Sequence, residues 1–344
     1  MRIGSLFSGY SGLDLGVRAV LGGSVVWHAE VDTAASLVLA HRWPGVPNLG
    51  DITGVNWSQA APVDVLVGGF PCQDVSSAGK RVGLRPGSRS GLWSQMAYAV
   101  SVLRPRLVVA ENVRGLLSAP ATSQMEPCPW CLGDHAPHAV RALGAVLGDL
   151  ADLGYDAAWC GLPASAVGAP HNRFRVFVAA SDTAGERHGD AWPTRRRGLS
   201  AAAVAGDLRA PARGRGSGRG DLDAHSDGAG RQGIDQEGHR NPGDAHRRGS
   251  TDWGDYTPAI RRWERRLGRP APAPITTGHH GARVLDPAFV EWMQGAPEGW
   301  VTHVPGLSRT AMLRVLGNGV IPHQAAAALP WLLDTLAAPV EQAA

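Results

Sequence analysis

The stretch RIGSLFSGYSGLDLG, residues 2 to 16, joins a short apolar run to a glycine-rich turn and an amphipathic segment. This order predicts a β-strand, a tight turn and an α-helix. Apolar, β-branched runs that end in polar groups recur at residues 24–32, 63–70 and 104–113, with helical patterns between several of them. Strands that alternate with helices predict an α/β protein with a doubly wound parallel sheet. Such sheets bind ligands at the carboxyl ends of their strands.

The bulk composition is that of a globular protein, with 344 residues, 44% hydrophobic and 18% charged residues, and a net charge of +3. Four cysteines are too few for a disulfide framework, so we expect a reducing compartment. The N-terminus lacks a signal-peptide pattern, and no stretch reaches the roughly 18 apolar residues of a membrane span. We therefore expect a cytoplasmic protein without a membrane partner. Arginines concentrate in residues 184–270, a segregation of charge typical of nucleic-acid contact.

The glycine turn is a candidate nucleotide site. Gly9, Gly12 and Gly16 follow the first predicted strand, where they permit close approach of a ligand to backbone amides. Glu30 ends the second strand about 20 residues later, the spacing at which a carboxylate accepts from ribose hydroxyls. Asp51 is placed to accept from an exocyclic amine. Glycine turns and strand-end acids each also occur where no ligand binds. The hypothesis of a nucleotide site therefore rests on the presence of both together.

A cysteine follows the third predicted strand. Pro71 restrains the backbone before Cys72, at the point where residues 63–70 meet solvent. A lone cysteine is usually a buried structural thiol, but a strand end of a parallel sheet is where function lies, which favours a nucleophilic thiolate. No protease-type Cys/His/Asn order or redox C-x-x-C surrounds it. The next strand delivers Glu111 to the same edge, where a carboxyl can act as an acid toward a ring that sulfur attacks.

Taken in order, these motifs resemble those of the DNA (cytosine-5)-methyltransferases, from residue 3 to about residue 325. The matching stretches are FSGYSGLDLG (7–16), GGFPCQDVSSAGK (68–80), ENV (111–113), GAPHNRFRVFV (168–178) and LGNGVIP (316–322). The chain departs from the usual pattern at four positions. Ser11 replaces a glycine and His171 a glutamine, while Phe289 and Ala296 replace a glutamate and an aromatic residue.

The resemblance implies a Rossmann-like sheet that binds S-adenosylmethionine, with a second, smaller target-recognition domain. The residues that it assigns to the cofactor are Phe7, Ser8, Gly9, Gly12, Leu13, Glu30, Val31, Asp51, Ile52, Gly69, Pro71, Asn318 and Val320. It also implies that Cys72 attacks cytosine C6 and that Glu111 hydrogen-bonds N3 and the 4-amino group. Arg175 then contacts base O2, and Arg173 a phosphate or the thiol loop.

The implied substrate is cytosine in a specific double-stranded DNA sequence, flipped out of the helix at a cost of a few kcal/mol. The loop at 73–91 is suited to close over the opened DNA, because its glycines permit movement and its polar and basic side chains can contact phosphates. Its predicted DNA-binding residues are Gln73, Ser76, Lys80, Arg81 and Arg89. For reading the target bases we favour residues 253–283, where aromatics alternate with arginines.

Three parts are predicted along the chain. Residues 1–180 form the catalytic domain, with a possible Cys/His insert at 125–140. Residues 181–304 form the target-recognition domain, including a flexible Arg/Gly-rich segment at 184–250. Residues 305–344 return to the catalytic domain.

The insert contains CPWCLGDHAPH, in which Cys128, Cys131, His135 and His138 could complete a tetrahedral zinc site. The Cys-to-His spacing is shorter than usual, and exposed polar residues are the alternative explanation. The fourth cysteine, Cys160, is expected in the core.

Other functions fit parts of the pattern. A transfer RNA cytosine-5 methyltransferase of the same fold shares the Pro-Cys loop, although the Arg-rich insert favours DNA. A catalytically idle DNA-binding protein would not need both Cys72 and Glu111, and a nicotinamide dehydrogenase would leave both unexplained. We expect a monomer that binds double-stranded DNA in the cytoplasm of a bacterial or phage-infected cell, with a cognate restriction endonuclease as a candidate partner.

Overall fold

The computed structural model describes residues 1–71, 91–118, 120–121, 140–183, 251–278 and 281–338. The strands in these ranges are β1 (Arg2–Leu6), β2 (Ser24–Ala29), β3 (Val65–Gly68), β4 (Leu107–Val113), β5 (Pro120–Ala121), β6 (Val140–Arg141), β7 (Tyr155–Pro163), β8 (Phe174–Asp182), β9 (Ile275–Thr277) and β10 (Arg283–Leu285). The helices are α1 (Gly12–Leu21), α2 (Thr33–Arg42), α3 (Gly91–Leu103), α4 (Ala142–Asp152), α5 (Thr257–Leu267), α6 (Pro287–Met293), α7 (Arg309–Asn318) and α8 (Pro322–Ala337). Short 3₁₀ turns cover Ile52–Gly54, Arg114–Leu117, Ala164–Val167 and Gly254–Tyr256.

The central sheet has the strand order β2-β1-β3-β4-β8-β7. Strands β2, β1, β3 and β4 pair in parallel, as predicted. Strand β8 runs antiparallel to both of its neighbours, so the sheet is mostly parallel and the predicted parallel arrangement does not extend to this one strand. Residues 164–173 between β7 and β8 are too few for a helical crossover, and a short connection reverses the chain.

This reversal positions the functional side chains. Because β8 is antiparallel to β4, its first residues lie beside the last residues of β4, and Arg175 pairs in register with Val113. The carboxyl ends of β1, β3 and β4 and the beginning of β8 therefore meet at one edge of the sheet.

Helices cover both faces, which confirms the doubly wound prediction. On one face, α3 and α4 contribute Met96 and Val146 to a core with Leu66 and Val108. On the other face, α1 and α8 pack Val17 and Leu329 against the sheet. Buried apolar surface on both sides accounts for the nearly continuous apolar runs of the strands.

Glycines allow α1 and α8 to approach closely. A Cβ added to Gly12 would lie 2.0 Å from the carbonyl oxygen of Val320, and one added to Gly16 would lie 2.5 Å from the Cβ of Ala325. No real side chain tolerates either distance. The α8 segment is therefore packed directly behind the glycine turn.

Residues 251–304 fall within the predicted target-recognition domain, and their described part packs on the catalytic part of the chain. Ile260 and Trp263 of α5 are buried with Ala164, Ala169 and Trp292. The boundaries of the predicted domain stay a prediction. Within the ranges given above, no helix is long and apolar enough to cross a membrane.

Two of the departures from the family pattern are explained by this packing. Phe289 stacks between two tryptophans, with ring centroids 5.6 Å from Trp253 and 5.9 Å from Trp292. Ala296 is buried in a cluster with Tyr10 and Val301. Both positions lie in apolar surroundings, which suit an aromatic residue at 289 and a small residue at 296. A glutamate at 289 would lie against two tryptophan rings.

Candidate active site

The turn between β1 and α1 adopts an unusual backbone. Phe7, Gly9 and Ser11 all have positive φ, at 52°, 54° and 75°. Glycine adopts such angles at little cost, whereas a residue with a Cβ needs compensation. At Ser11 the hydroxyl donates to the buried carboxylate of Asp14 in the first turn of α1. This bond accounts for a serine where the family pattern has glycine.

Glu30 ties this turn to the end of β2. Its Oε2 accepts from the Gly9 amide at 2.8 Å, and its Oε1 accepts from the Asp32 amide at 2.7 Å. The next residue, Val31, is 74% exposed, which is unusual for a large apolar side chain. Glu30 and Val31 thus present a carboxylate and an apolar surface side by side at the sheet edge.

A pocket opens where the glycine turn meets the ends of β3 and β4. Its lining includes eight of the thirteen predicted cofactor residues together with Glu111: Phe7, Ser8, Gly9, Gly12, Leu13, Gly69, Asn318 and Val320. The other five, which are Glu30, Val31, Asp51, Ile52 and Pro71, lie outside this lining.

Asp51 lies at the start of the 3₁₀ turn that follows the α2 region. Its Oδ1 accepts from the amide of Thr53 at 2.9 Å and from the Thr53 hydroxyl at 2.8 Å. These bonds lower the pKa of the exposed Asp51 carboxyl, so it is ionised and able to accept further hydrogen bonds. Ile52 beside it is buried in the core.

Glu111 and Arg175 form a buried ion pair at the pocket. Glu111 Oε1 lies 2.7 Å from Arg175 Nε, and the two side chains are 8% and 11% exposed. Burial raises the pKa of Glu111 to about 7, although Arg175 and Arg173 oppose the shift. A Cβ added to Gly69 would lie 3.1 Å from Glu111 Oε2. Because residue 69 is a glycine, no side chain covers that oxygen from this side. A carboxyl with this pKa exchanges protons at neutral pH.

Arg173 points toward the C-terminal motif. Its Nη2 donates to the carbonyl oxygen of Gly319 at 2.8 Å. A Cβ at Gly319 would lie 1.9 Å from the ring of Tyr10, whose hydroxyl donates to the Val320 carbonyl. Arg173 and Tyr10 therefore hold the Gly-Asn-x-Val segment against the glycine turn. The contact of Arg173 with a phosphate or the thiol loop stays a prediction.

Asn112 positions the chain that leads to the predicted catalytic cysteine. Its Nδ2 donates to the carbonyl oxygen of Phe70 at 2.8 Å, directly before Pro71. The Phe70 ring packs on Trp93 with centroids 5.0 Å apart. The described range ends at Pro71. The predicted residues that lie outside it are Cys72, Gln73, Ser76, Lys80, Arg81 and Arg89.

The metal prediction also falls outside the described chain. Cys128, Cys131, His135 and His138 all belong to undescribed positions. Among the residues that are described, no group of three or more His, Cys, Asp or Glu side chains could hold a metal ion. Cys160 lies half-buried on the edge strand β7, where burial raises the pKa of its thiol to about 11 and leaves it unreactive.

Several site-supporting residues escaped the sequence reasoning. Gln324 is fully buried, and its Nε2 donates to the carbonyl oxygens of Leu162 and Arg173 at 2.8 and 2.9 Å. Asn112 and Tyr10 lie inside recognised motifs, which was the available signal for them. Gln324 had none, because a glutamine on a helix ordinarily faces solvent.

The sheet, the cofactor-type pocket and the buried acid at its edge define the fold class of the S-adenosylmethionine-dependent methyltransferases. Similar folds occur in a DNA modification methyltransferase encoded within an E. coli prophage, with TM-score 0.51, 21% identity and coverage of 98% of this chain and 99% of that one. They occur also in the S. pombe Dnmt2 methyltransferase, with TM-score 0.52, 14% identity and coverage of 98% and 100%. The chain belongs to the C-5 cytosine-specific DNA methylase family, whose model matches residues 1–329.

A curated relative agrees with this assignment. The chain is 34% identical over 195 residues to the type II methyltransferase M.HgiBI of Herpetosiphon aurantiacus. The match covers 56% of this chain and 40% of that protein. The chain thus spans about two fifths of the length of the relatives that it matches.

Proposed function

We propose that this protein transfers the methyl group of S-adenosylmethionine to C5 of cytosine in a specific double-stranded DNA sequence. Family membership supports the reaction class. The observation that carries the proposal is the buried Glu111–Arg175 pair at the edge of a pocket lined by the predicted cofactor residues.

The chemistry of the residues in and beside the pocket suits S-adenosylmethionine. At Gly9 an added Cβ would meet no atom within 4 Å, so this turn leaves open space beside the pocket. Glu30 would accept from the ribose hydroxyls and Val31 would cover the adenine, while Asp51 would accept from its amino group and Asn318 would line the far wall. When bound, S-adenosylmethionine supplies an electrophilic methyl group.

Cytosine C5 is a poor nucleophile, and the protein must activate it. The Cys72 thiolate adds to C6, the new S–C6 bond displaces the ring electrons toward C5, and C5 becomes nucleophilic. After methylation, water takes the C5 proton, the electrons of that C–H bond re-form the C5–C6 double bond, and the thiolate leaves with the electrons of the S–C6 bond. The Asn112 bond to Phe70 supports this role, because it restrains the chain just before Pro71 and Cys72.

Glu111 supplies the proton. A carboxyl with a pKa of about 7 is half protonated near neutrality, so it can donate to N3 as charge develops on the ring. Arg175 holds the carboxyl in place through Nε and, with five N–H donors in all, retains capacity for base O2. Both side chains are largely buried, and such bonds are stronger there than in bulk water.

The substrate must leave the DNA stack to reach this pocket. We assign the closing loop at 73–91 to that step and the Arg-rich segment at 184–270 to DNA contact, with 253–283 reading bases. We further propose a monomer that modifies bacterial or phage DNA in the cytoplasm, beside a cognate restriction endonuclease.

The test has two stages. Bisulfite sequencing of DNA from cells that express the protein should reveal 5-methylcytosine in one sequence context. A duplex of that sequence with 5-fluorocytosine at the target should then trap the enzyme covalently in the presence of S-adenosylmethionine, because fluorine at C5 blocks the proton loss. Cys72→Ser should abolish the adduct, and the matched Cys160→Ser should form it normally.

Each alternative has its own outcome. Absence of new 5-methylcytosine and of any adduct would favour an idle DNA-binding protein. An adduct with 5-fluorocytosine transfer RNA but not with DNA would favour the RNA enzyme.

The structural zinc at Cys128, Cys131, His135 and His138 remains a separate prediction. Metal analysis of the purified protein should find about one zinc per chain. Cys128→Ser should then lower thermal stability and leave methyl transfer per folded molecule unchanged, and a metal-free stable protein would contradict the site.

A further inference from the structure

His171 lies between the two arginines of the site and helix α6. The backbone amide of Arg173 donates to His171 Nδ1 at 3.4 Å, and His171 Nε2 lies 3.2 Å from the carbonyl oxygen of Met293, the last residue of α6. A carbonyl only accepts, so Nε2 carries the proton and Nδ1 does not. The two contacts together define one neutral tautomer.

These contacts act on the start of β8. Arg173 accepts at its own carbonyl oxygen from Ala164 at 2.9 Å and from Gln324 at 2.9 Å. His171 adds the contact at the Arg173 amide, so both backbone groups of Arg173 are held. Arg173 directly precedes β8, and Arg175, the second residue of that strand, carries the ion pair with Glu111. A shift of the strand start would move that pair.

We propose that His171 is a positioning residue for Arg173 and Arg175, and that its protonation releases the start of β8 from α6. This inference rests on the proposed methyl transfer. A proton added to Nδ1 would face the Arg173 N–H, so the acceptor would be lost and two donors would oppose each other. The ring would also become a cation beside two guanidinium groups.

The surroundings keep the ring neutral at neutral pH. Burial lowers the pKa of His171, and the charges of Arg173 and Arg175 from β8 lower it further, while the Met293 carbonyl from α6 opposes them. The negative charge nearest in this network, Glu111 on β4, is already paired with Arg175. We therefore expect His171 to be protonated only in mildly acidic solution, at a pH below the ordinary histidine pKa near 6.5.

Glutamine supplies a matched variant. Its amide N–H can donate to Met293 and its amide oxygen can accept from Arg173, and neither group titrates. His171→Gln should therefore keep most of the activity at pH 8. His171→Ala should lower kcat about tenfold, as expected for a misplaced site, while the Kd for S-adenosylmethionine stays unchanged. His41→Gln, at an exposed position on α2, controls for loss of any histidine.

The pH profile distinguishes positioning from mere structural support. As the pH falls, log kcat/KM of the wild type should decrease with a slope of one while the Cys72 thiolate is being protonated. The slope should become two at the lower pH at which His171 is protonated as well. His171→Gln should keep the one-proton slope throughout. A two-proton slope that persists in His171→Gln, or an alanine variant as active as the wild type, would overturn the proposal.

A second readout does not depend on activity. Histidine ring NMR of the wild type should find His171 as the Nε2–H tautomer and titrating below about 6.5. If methyl transfer fails but this tautomer is found, the proposed function has failed and the contact stands. An Nδ1–H tautomer would overturn the inference whatever the activity.

Discussion

Two buried glutamates in this molecule have opposite surroundings. Glu291 of α6 is 1% exposed and accepts from three backbone amides, those of Gly299, Val301 and Thr302, at 2.6 to 2.9 Å. The Thr302 hydroxyl adds a fourth bond at 3.2 Å. Glu111 of β4 is 7% exposed and meets one side chain, Arg175, at a pocket.

The difference separates a structural carboxylate, Glu291, from Glu111, the carboxyl that we propose to be reactive. The donors around Glu291 fix a turn, and that turn carries Trp300, whose indole donates to the Tyr10 carbonyl in the glycine turn at 2.7 Å. Glu111 has fewer donors, so burial dominates and raises its pKa to about 7. Glu291 is thus held by backbone donors on both carboxylate oxygens, whereas Glu111 is buried with one charged partner.

The largest effect is expected at the reactive carboxyl. Glu111→Gln should lower kcat by about 10²–10⁴-fold, because the variant lacks the acidic proton but keeps the shape. The unfolding free energy should change less than in the Glu291 variant below, since the amide oxygen still accepts from Arg175. Single-turnover methyl transfer and urea denaturation measure the two quantities. Activity within tenfold of the wild type would remove Glu111 from the mechanism.

The structural carboxylate should show the reverse pattern. Glu291→Ala should lower the unfolding free energy by about 3 kcal/mol, since it leaves buried amides without an acceptor. Urea denaturation with an unchanged m-value measures the loss. The exposed Glu298→Ala, in the same segment, should change stability by less than about 0.5 kcal/mol. Equal stability of the two variants would contradict the comparison.

A smaller effect is expected at the neighbour of Glu111. Asn112→Ala removes the bond to the Phe70 carbonyl and should cost about 1 kcal/mol of stability. It should also lower kcat about tenfold, since the chain before Cys72 loses a restraint. Binding of S-adenosylmethionine should be unaffected, as titration calorimetry would show. A lower affinity with normal kcat would instead place Asn112 in the cofactor site.

Much of this site was predictable because its motifs are local. The turn at 7–16 needs glycine where the Val320 carbonyl lies behind Gly12, and the glycine pattern that meets this need is visible in the sequence. The direction of β8 was not visible, because FRVFVAA has the apolar pattern of any buried strand. Only the short connection from β7 reverses it, and β7 itself was not recognised as a strand.

Long-range partners were the other limit. In the family motif, the usual glutamate stands at the position of Phe289. Glu291 lies two residues later, so comparison with the motif did not single it out as the carboxylate that holds the 299–302 turn. Its partners become adjacent only when α6 and this turn are folded together. Likewise nothing in the sequence joins Arg173 to Gly319, which are 146 positions apart. Such contacts depend on tertiary packing rather than on periodicity or spacing.

The smallest predicted effect is a change in pH dependence that only the reactive carboxyl should produce. A thiol with the reference pKa near 8.5 increases its thiolate fraction about eightfold from pH 7 to 8, and this value is the basis of the prediction for Cys72. Protonated Glu111, with a pKa of about 7, falls over the same interval, so wild-type kcat/KM should change by less than about twofold. In Glu111→Gln the residual kcat/KM should follow the thiolate and rise about eightfold. Glu291→Gln should keep the flat wild-type profile, because its carboxylate takes no part in proton transfer, and a rise in that variant would break the distinction between the two glutamates.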